Sequence, residues 1–190
     1  RQSLVKARVV AGGKPSAERV KSLVNSAVYE QSWKQGDIRE IYLMRLRMEE
    51  TAAKNNLKRG PGGVVDIEFI VQMLQLLHGK KYKNLQTPNT LFALEVLADV
   101  GLMGDDTATS LRNAYGLLRK IEGRLRLLDV RLGHTFPEGY RERNQLANLL
   151  NRQDGQALAD EVLQTTRMVR RVFNDIFSQA ESQLAGDKTN

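Results

Sequence analysis

Apolar residues recur at intervals of three and four over most of this chain, the spacing of helices that bury one stripe, and no pair of alternating runs reads as a β-hairpin. From Ala17 to Gln31 the stripe is Val20, Leu23, Val24, Ala27 and Val28, with Ser16 placed to cap the start after Pro15. Asp37 opens a second helix carrying Ile38, Ile41, Tyr42, Met44 and Met48. A third line, Ile67, Ile70, Val71, Leu74 and Leu77, stops at Gly79, with His78 in the last turn where positive charge suits the helix dipole. In QTPNTLFALEVLADVG, Thr87 before Pro88 predicts the start of a fourth helix and Gly101 its end. Asp106 predicts the cap of a long central helix, whose line Leu111, Ala114, Leu118, Ile121, Leu125, Leu128 and Leu132 lasts about 25 residues. A short helix over 144–150 and a long one over 156–184 complete the series. The pattern therefore predicts an all-α bundle of about seven helices, ending in a loose tail over 185–190.

Composition agrees with a packed fold. The 190 residues are 41% hydrophobic and 27% charged, enough apolar material for a real core. There is no cysteine, and His78 and His134 are the only histidines, which removes disulfide, thiolate and ordinary zinc chemistry. A metal could enter only through carboxylates. No apolar run approaches the roughly 20 residues of a membrane span, and the start lacks a signal peptide, so the chain reads as cytoplasmic. It begins with Arg1 in RQSLVKARVVAGG, which reads as mid-helix and suggests a piece of a longer polypeptide. The formal charge of +7 invites a polyanionic partner, but the basic residues are dispersed among acids at helical spacing, as on solvated faces. With no recognition-helix motif or concentrated basic stripe, nucleic acid is a weak candidate.

The stretch KRGPGGVVDIEF, residues 58–69, resists so plain a reading. As a strand, VVDIEFIV would put Asp66 and Glu68 side by side, a pair able to hold Mg²⁺. As a helix, the two acids lie about 200° apart and share no ion. The helical spacing continues to residue 77, which favours the helix. KRGPGG then feeds a helix N-terminus, where glycine amides, unpaired first-turn N–H groups and the dipole suit an anion, and Lys58 and Arg59 add positive charge. Lys58, Arg59, Gly60, Gly62 and Gly63 are accordingly candidate phosphate contacts. The spacing matches neither a Walker loop nor the dinucleotide fingerprint. The plainer alternative is a flexible connection whose acids, Asp66 and Glu68, complement the dipole.

Lys58, Gly60, Gly62 and Gly63, the run Asp66-Ile67-Glu68-Phe69, Gln72, and the later AYGLLRKIEGRLRLLD…GHTFP from Ala114 to Pro137 closely resemble the helical domain of the bacterial glutamine synthetase adenylyltransferase/adenylyl-removing enzyme. The helical domain of the PII uridylyltransferase is a more distant candidate. The resemblance implies two nucleotidyltransferase domains, each followed by a helical domain. One half transfers AMP from ATP to a tyrosine of glutamine synthetase, and the other removes it by phosphorolysis. Asp66 before Ile67, with the lead-in RQSLVKARVV, resembles the adenylylating half. On this reading residues 1–15 are the tail of a nucleotidyltransferase domain and 16–184 the helical domain.

The family's chemistry needs a Gly-Ser turn and an Asp-x-Asp pair to hold Mg²⁺ on the triphosphate, and these 190 residues lack them. The resemblance therefore implies no catalytic and no metal-binding residue here, with ATP and Mg²⁺ serving only the longer enzyme. The chain would complete the nucleotide cleft of the preceding domain through Lys58, Arg59 and the glycines, while Asp66 and Glu68 anchor the loop or the neighbouring domain. The alternative of another class is a docking module for glutamine synthetase or a PII-type signal protein, acting through its basic face.

Overall fold

The computed structural model describes residues 1–34, 36–128 and 133–186. Among them are seven α-helices and no strand: α1 (Lys14–Tyr29), α2 (Asp37–Glu50), α3 (Val64–His78), α4 (Thr90–Asp99), α5 (Asp105–Leu128), α6 (Tyr140–Leu149) and α7 (Gly155–Gly186). The predicted all-α bundle is what forms. Short 3-10 turns span Gln2–Lys6 and Lys83–Leu85.

The element at the centre is α3 rather than the longer α5. Twelve of its fifteen residues are buried, among them the polar Asp66, Gln72 and Gln75, and it touches α1, α2, α4, α5, α7 and the Gln2–Lys6 turn. A helix that is apolar nearly all round has no solvent face to offer, so its neighbours must close over it. Ile67, Ile70 and Met73 are wholly enclosed, and each such side chain contributes about 1.5–3 kcal/mol of burial. α5 keeps the one-sided stripe that the pattern predicts as far as Leu125, with Leu111, Leu118, Ile121 and Leu125 buried against exposed charges, but Leu128 at its end is exposed. α7 presents Val169, Phe173 and Phe177, and Phe173 stacks on Tyr42 of α2 with ring centroids 5.6 Å apart.

Several boundaries move from their predicted places. α1 begins at Lys14 with Gly13 as its cap, because Pro15 fits the first turn where its missing N–H costs nothing. The start of α4 is capped by Asn89, whose side chain accepts from the amides of Leu91 and Phe92; Thr87 instead accepts from the Asn89 amide. α5 opens one residue before Asp106. α6 starts four residues earlier than the pattern suggests, at Tyr140. Ala185 and Gly186 continue α7, while the rest of the expected loose tail, like Leu132 of the expected central stripe, lies outside the described residues.

Two larger differences concern the start of the chain. RQSLVKARVVAGG forms only a five-residue 3-10 turn followed by non-helical backbone, consistent with the helix-weakening pair at Gly12 and Gly13. In α1, Val20 and Leu23 are exposed at 46% and 63%, and burial passes to Val28 and Tyr29, which pack with Val5 and Leu76. Tyr29 also explains Gly79. A Cβ there would lie 2.5 Å from the tyrosine ring and 2.5 Å from the Gln75 carbonyl, so only glycine lets α1 and the end of α3 meet. His78 beside it is half-buried, and burial, helped by the Lys81 charge, pushes its pKa down, so it does not supply the positive charge expected of the last turn.

No helix among the described residues is long and apolar enough to cross a membrane.

Candidate functional site

The 58–63 loop lies between the end of α2, the start of α3 and the middle of α7. Each of its five backbone N–H groups has an acceptor. The amides of Lys58 and Arg59 donate to Asn56 Oδ1 at 3.0 and 2.8 Å, and that of Gly60 to the Asn56 carbonyl at 2.8 Å. Gly62 donates to Asp66 Oδ2 at 2.7 Å and Gly63 to the Gly60 carbonyl at 3.0 Å. The first-turn amides of Val64, Val65 and Asp66 reach the carbonyls of Leu57, Lys58 and Gly63, each at 3.0 Å. The anion expected at this helix N-terminus is thus already present, and it is the Asp66 carboxylate.

This corrects the reading of the glycines as ligand donors. They are buried and serve close packing. Gly62 has φ +70°, and a Cβ there would overlap the Thr166 carbonyl of α7. A Cβ on Gly60 would overlap the Asn56 carbonyl, and one on Gly63 would lie 2.6 Å from the Leu57 oxygen. Arg59 is likewise committed, its guanidinium donating to the Met48 carbonyl at 3.0 Å and to Thr51 Oγ1 at 2.5 Å. Lys58 differs from the other four: it is half-buried, and no ion pair holds its ammonium among the described residues.

Asp66 sits in a four-membered charge cluster that sequence reasoning did not find. Its Oδ1 meets Arg45 Nε at 2.5 Å and its Oδ2 meets Arg170 at 3.1 Å; Glu49 closes the ring, 3.3 Å from Arg45 and 2.8 Å from Arg170. Arg45 also donates to the Gly60 carbonyl at 2.9 Å. Arg45 and Asp66 are both wholly buried, and the two positive and two negative charges balance. Burial pushes the Asp66 carboxyl upward in pKa, opposed by the charges of Arg45 and Arg170 and by the Gly62 amide. Three helices and the loop converge on this ring. The sequence hint was Arg45 and Glu49 four apart, a spacing shared by many solvent-exposed pairs.

Glu68 faces elsewhere. Its Oε1 accepts from the Tyr115 hydroxyl at 3.2 Å and lies 3.6 Å from Lys6 Nζ, which also donates to Thr90 Oγ1. With Gln2 Nε2 bonded to Gln72 Oε1 at 2.9 Å and Val5 buried, this latch ties the N-terminal segment onto α3. Asp66 and Glu68 therefore serve different neighbours and share no ion. Among the described residues, no group of three or more histidines and acids converges as a metal site. Neither the loop amides nor these carboxylates fit an ATP·Mg²⁺ complex.

The end of the second distinctive segment pairs with residues 55–57, immediately before the first. Leu57 N donates to the His134 carbonyl at 2.7 Å, Phe136 N to the Asn55 carbonyl at 2.9 Å, and Asn56 bridges Thr135 in antiparallel fashion. Buried Glu122 of α5 accepts from Arg119 at 2.8 Å, and its other oxygen lies 2.7 Å from His134 Nδ1.

A family model described as GlnD PII-uridylyltransferase matches residues 37–177. The bifunctional glutamine synthetase adenylyltransferase/adenylyl-removing enzyme of Streptomyces coelicolor is 33% identical over 184 residues, covering 92% of this chain and 18% of its own. Its counterpart in Cutibacterium acnes is 34% identical over 184 residues (93% and 18%), and that of Xanthomonas campestris pv. campestris 30% over 191 (98% and 20%). The chain spans about a fifth of the length of these curated relatives. Because the matched stretch runs from the first residue of α2 into α7, and so takes in the loop, the charge ring and the Asn56–Thr135 pairing, the chain belongs to the GlnD PII-uridylyltransferase family.

Proposed function

We propose that this chain is the helical domain of a glutamine synthetase adenylyltransferase, a rigid platform that positions an adjoining nucleotidyltransferase domain and does not itself react. The observation that carries the reading is that the end of the 114–137 segment of resemblance pairs with residues 55–57, which lead directly into the 58–69 segment that the Asp66 charge ring braces. In the longer enzyme, AMP would pass from ATP, with Mg²⁺, to a tyrosine of glutamine synthetase, or be removed from it. Those groups would be held outside these residues. Residues 1–15 are the join to the preceding domain, and the latch of Lys6 on Glu68 fixes its direction. Of the five loop residues, Lys58 is the one left to face a phosphate in that domain, and a PII signal protein is a further regulatory partner.

The test is incorporation of labelled AMP into glutamine synthetase by the full-length enzyme. Wild type should label it, the 190-residue chain alone should not, and Lys58→Ala should raise the KM for ATP. Labelling by the isolated chain would sink the platform reading, and an unchanged KM would sink the role of Lys58. The family description favours one second reading, a uridylyltransferase acting on PII; UTP and PII in place of ATP and glutamine synthetase decide between them.

A further inference from the structure

Residues 52–57 with Gly60 and Pro61, residues 136–138 and the 159–166 stretch of α7 form the walls of a cleft of about 570 Å³, within the size range of small-molecule sites. Its lining includes Leu57, Phe136, Val162 and Leu163, an apolar surface broad enough for a ring or a short branched chain. Four charged residues also line it: Glu49, Lys54, Glu138 and Arg143. Three are accounted for. Glu49 is held by Arg45 and Arg170, and Glu138 by Lys54 at 3.1 Å and by Asn55 Nδ2 at 2.9 Å. Arg143 is not. Its Nε is buried with no hydrogen-bond acceptor among the described residues, and no ion pair compensates its charge there.

A buried guanidinium N–H without an acceptor loses its hydration and gains nothing in exchange. An anion placed in the cleft would offset the charge that Arg143 brings to its wall, and a guanidinium suits the planar fork of a carboxylate or the oxygens of a phosphate. We propose that this cleft binds a small organic anion, a carboxylate or phosphate on an apolar body, with the acidic group on Arg143 and the body on Phe136 and Leu163. Asn55, held in the left-handed region at φ 58°, carries the Glu138 contact at the rim and gives the mouth a fixed shape. The site is separate from the Lys58 ammonium and goes beyond the platform role proposed above.

The test is a ¹H–¹⁵N NMR titration of the 190-residue chain with benzoate, phenyl phosphate and inorganic phosphate. A ring-bearing anion of at least one kind should give saturable shifts at the amides of Asn55, Phe136 and Leu163, and inorganic phosphate should bind more weakly. Comparing benzoate with phenyl phosphate identifies the preferred acid. Arg143→Gln should weaken binding by about tenfold or more, the loss of one charge-assisted bond, and Arg143→Lys should restore part of it. Leu163→Glu, at a residue 46% exposed, puts negative charge at the cleft without cutting the core and should weaken binding comparably even if Arg143→Gln does not fold. Absence of saturable shifts in the cleft, unchanged affinity in either variant, or equal binding of inorganic phosphate and phenyl phosphate would overturn the proposal.

Discussion

Asp66→Asn keeps the shape of the side chain and an oxygen for the Gly62 amide, but removes the charge that faces Arg45 and Arg170. At an effective dielectric of about 20, the 2.5 Å contact contributes roughly 7 kcal/mol of attraction and the 3.1 Å contact roughly 5 kcal/mol. Repulsion from Glu49 and the cost of taking each ion out of water, several kcal/mol apiece, offset most of that gain. The substitution refunds the desolvation of Asp66 alone. Arg45 stays wholly buried with Glu49, 3.3 Å away, as its remaining anion. The expected net loss is that of breaking a buried pair, about 3–5 kcal/mol. In a chain of this size that lowers the melting midpoint by about 6–20 °C. Urea and thermal unfolding followed by circular dichroism at 222 nm read the change. Replacing both partners, Arg45→Met with Asp66→Leu, should recover most of the loss, since no unpaired charge is left behind. If Asp66→Asn cost less than about 1 kcal/mol, or if the double replacement were worse than either single one, the ring would not be what closes the loop.

Other outcomes follow from neighbouring features. Gly62→Ala forces a side chain into the left-handed region and into the Thr166 carbonyl, and should cost about 2–5 kcal/mol in denaturant unfolding; Gly116→Ala, in the interior of α5 with open space around it, should instead stabilise by about 0.5–1 kcal/mol. Burial pushes the Tyr29 hydroxyl up to about 12 from its ordinary 10. An acid whose pKa is raised by folding contributes stability that is present below pH 10 and is lost as the pH climbs toward 12, on the order of 1–2 kcal/mol, so urea titrations at pH 9 and 11.5 should show a decline that Tyr29→Phe lacks. Lys6→Ala should increase proteolysis and amide exchange over residues 1–10 while leaving the melting of α5 and α7 unchanged; equal protection in the variant would mean that the latch does not hold the N-terminal segment.

Which parts of this architecture can be read from the chain depends on the range of the forces involved. The helices of α3, α5 and α7 are legible because a 3.6-residue period in apolar residues records burial locally, and the continuation of the Ile67–Leu77 line excludes the strand that would have paired Asp66 with Glu68. Caps are less legible. Thr87 and Asn89 are both good cap residues two positions apart, and the choice between them rests on how the chain leaves the Lys83–Leu85 turn.

The amino-acid sequence alone determined that this protein is an all-α bundle, that residues 58–69 join a loop to a helix, and which family the chain resembles. Only the tertiary structure decided what the loop does with its amides. A glycine-rich, cationic turn at a helix N-terminus has the same local pattern whether it awaits a phosphate or is sealed. The sealing groups are Asp66, Arg45, Glu49 and Arg170, separated by up to 125 positions in the chain, and the surface that blocks any Cβ on Gly62 belongs to Thr166. Charge compensation at 2.5–3.3 Å is a property of side chains brought together by packing, and no local pattern along the sequence encodes it.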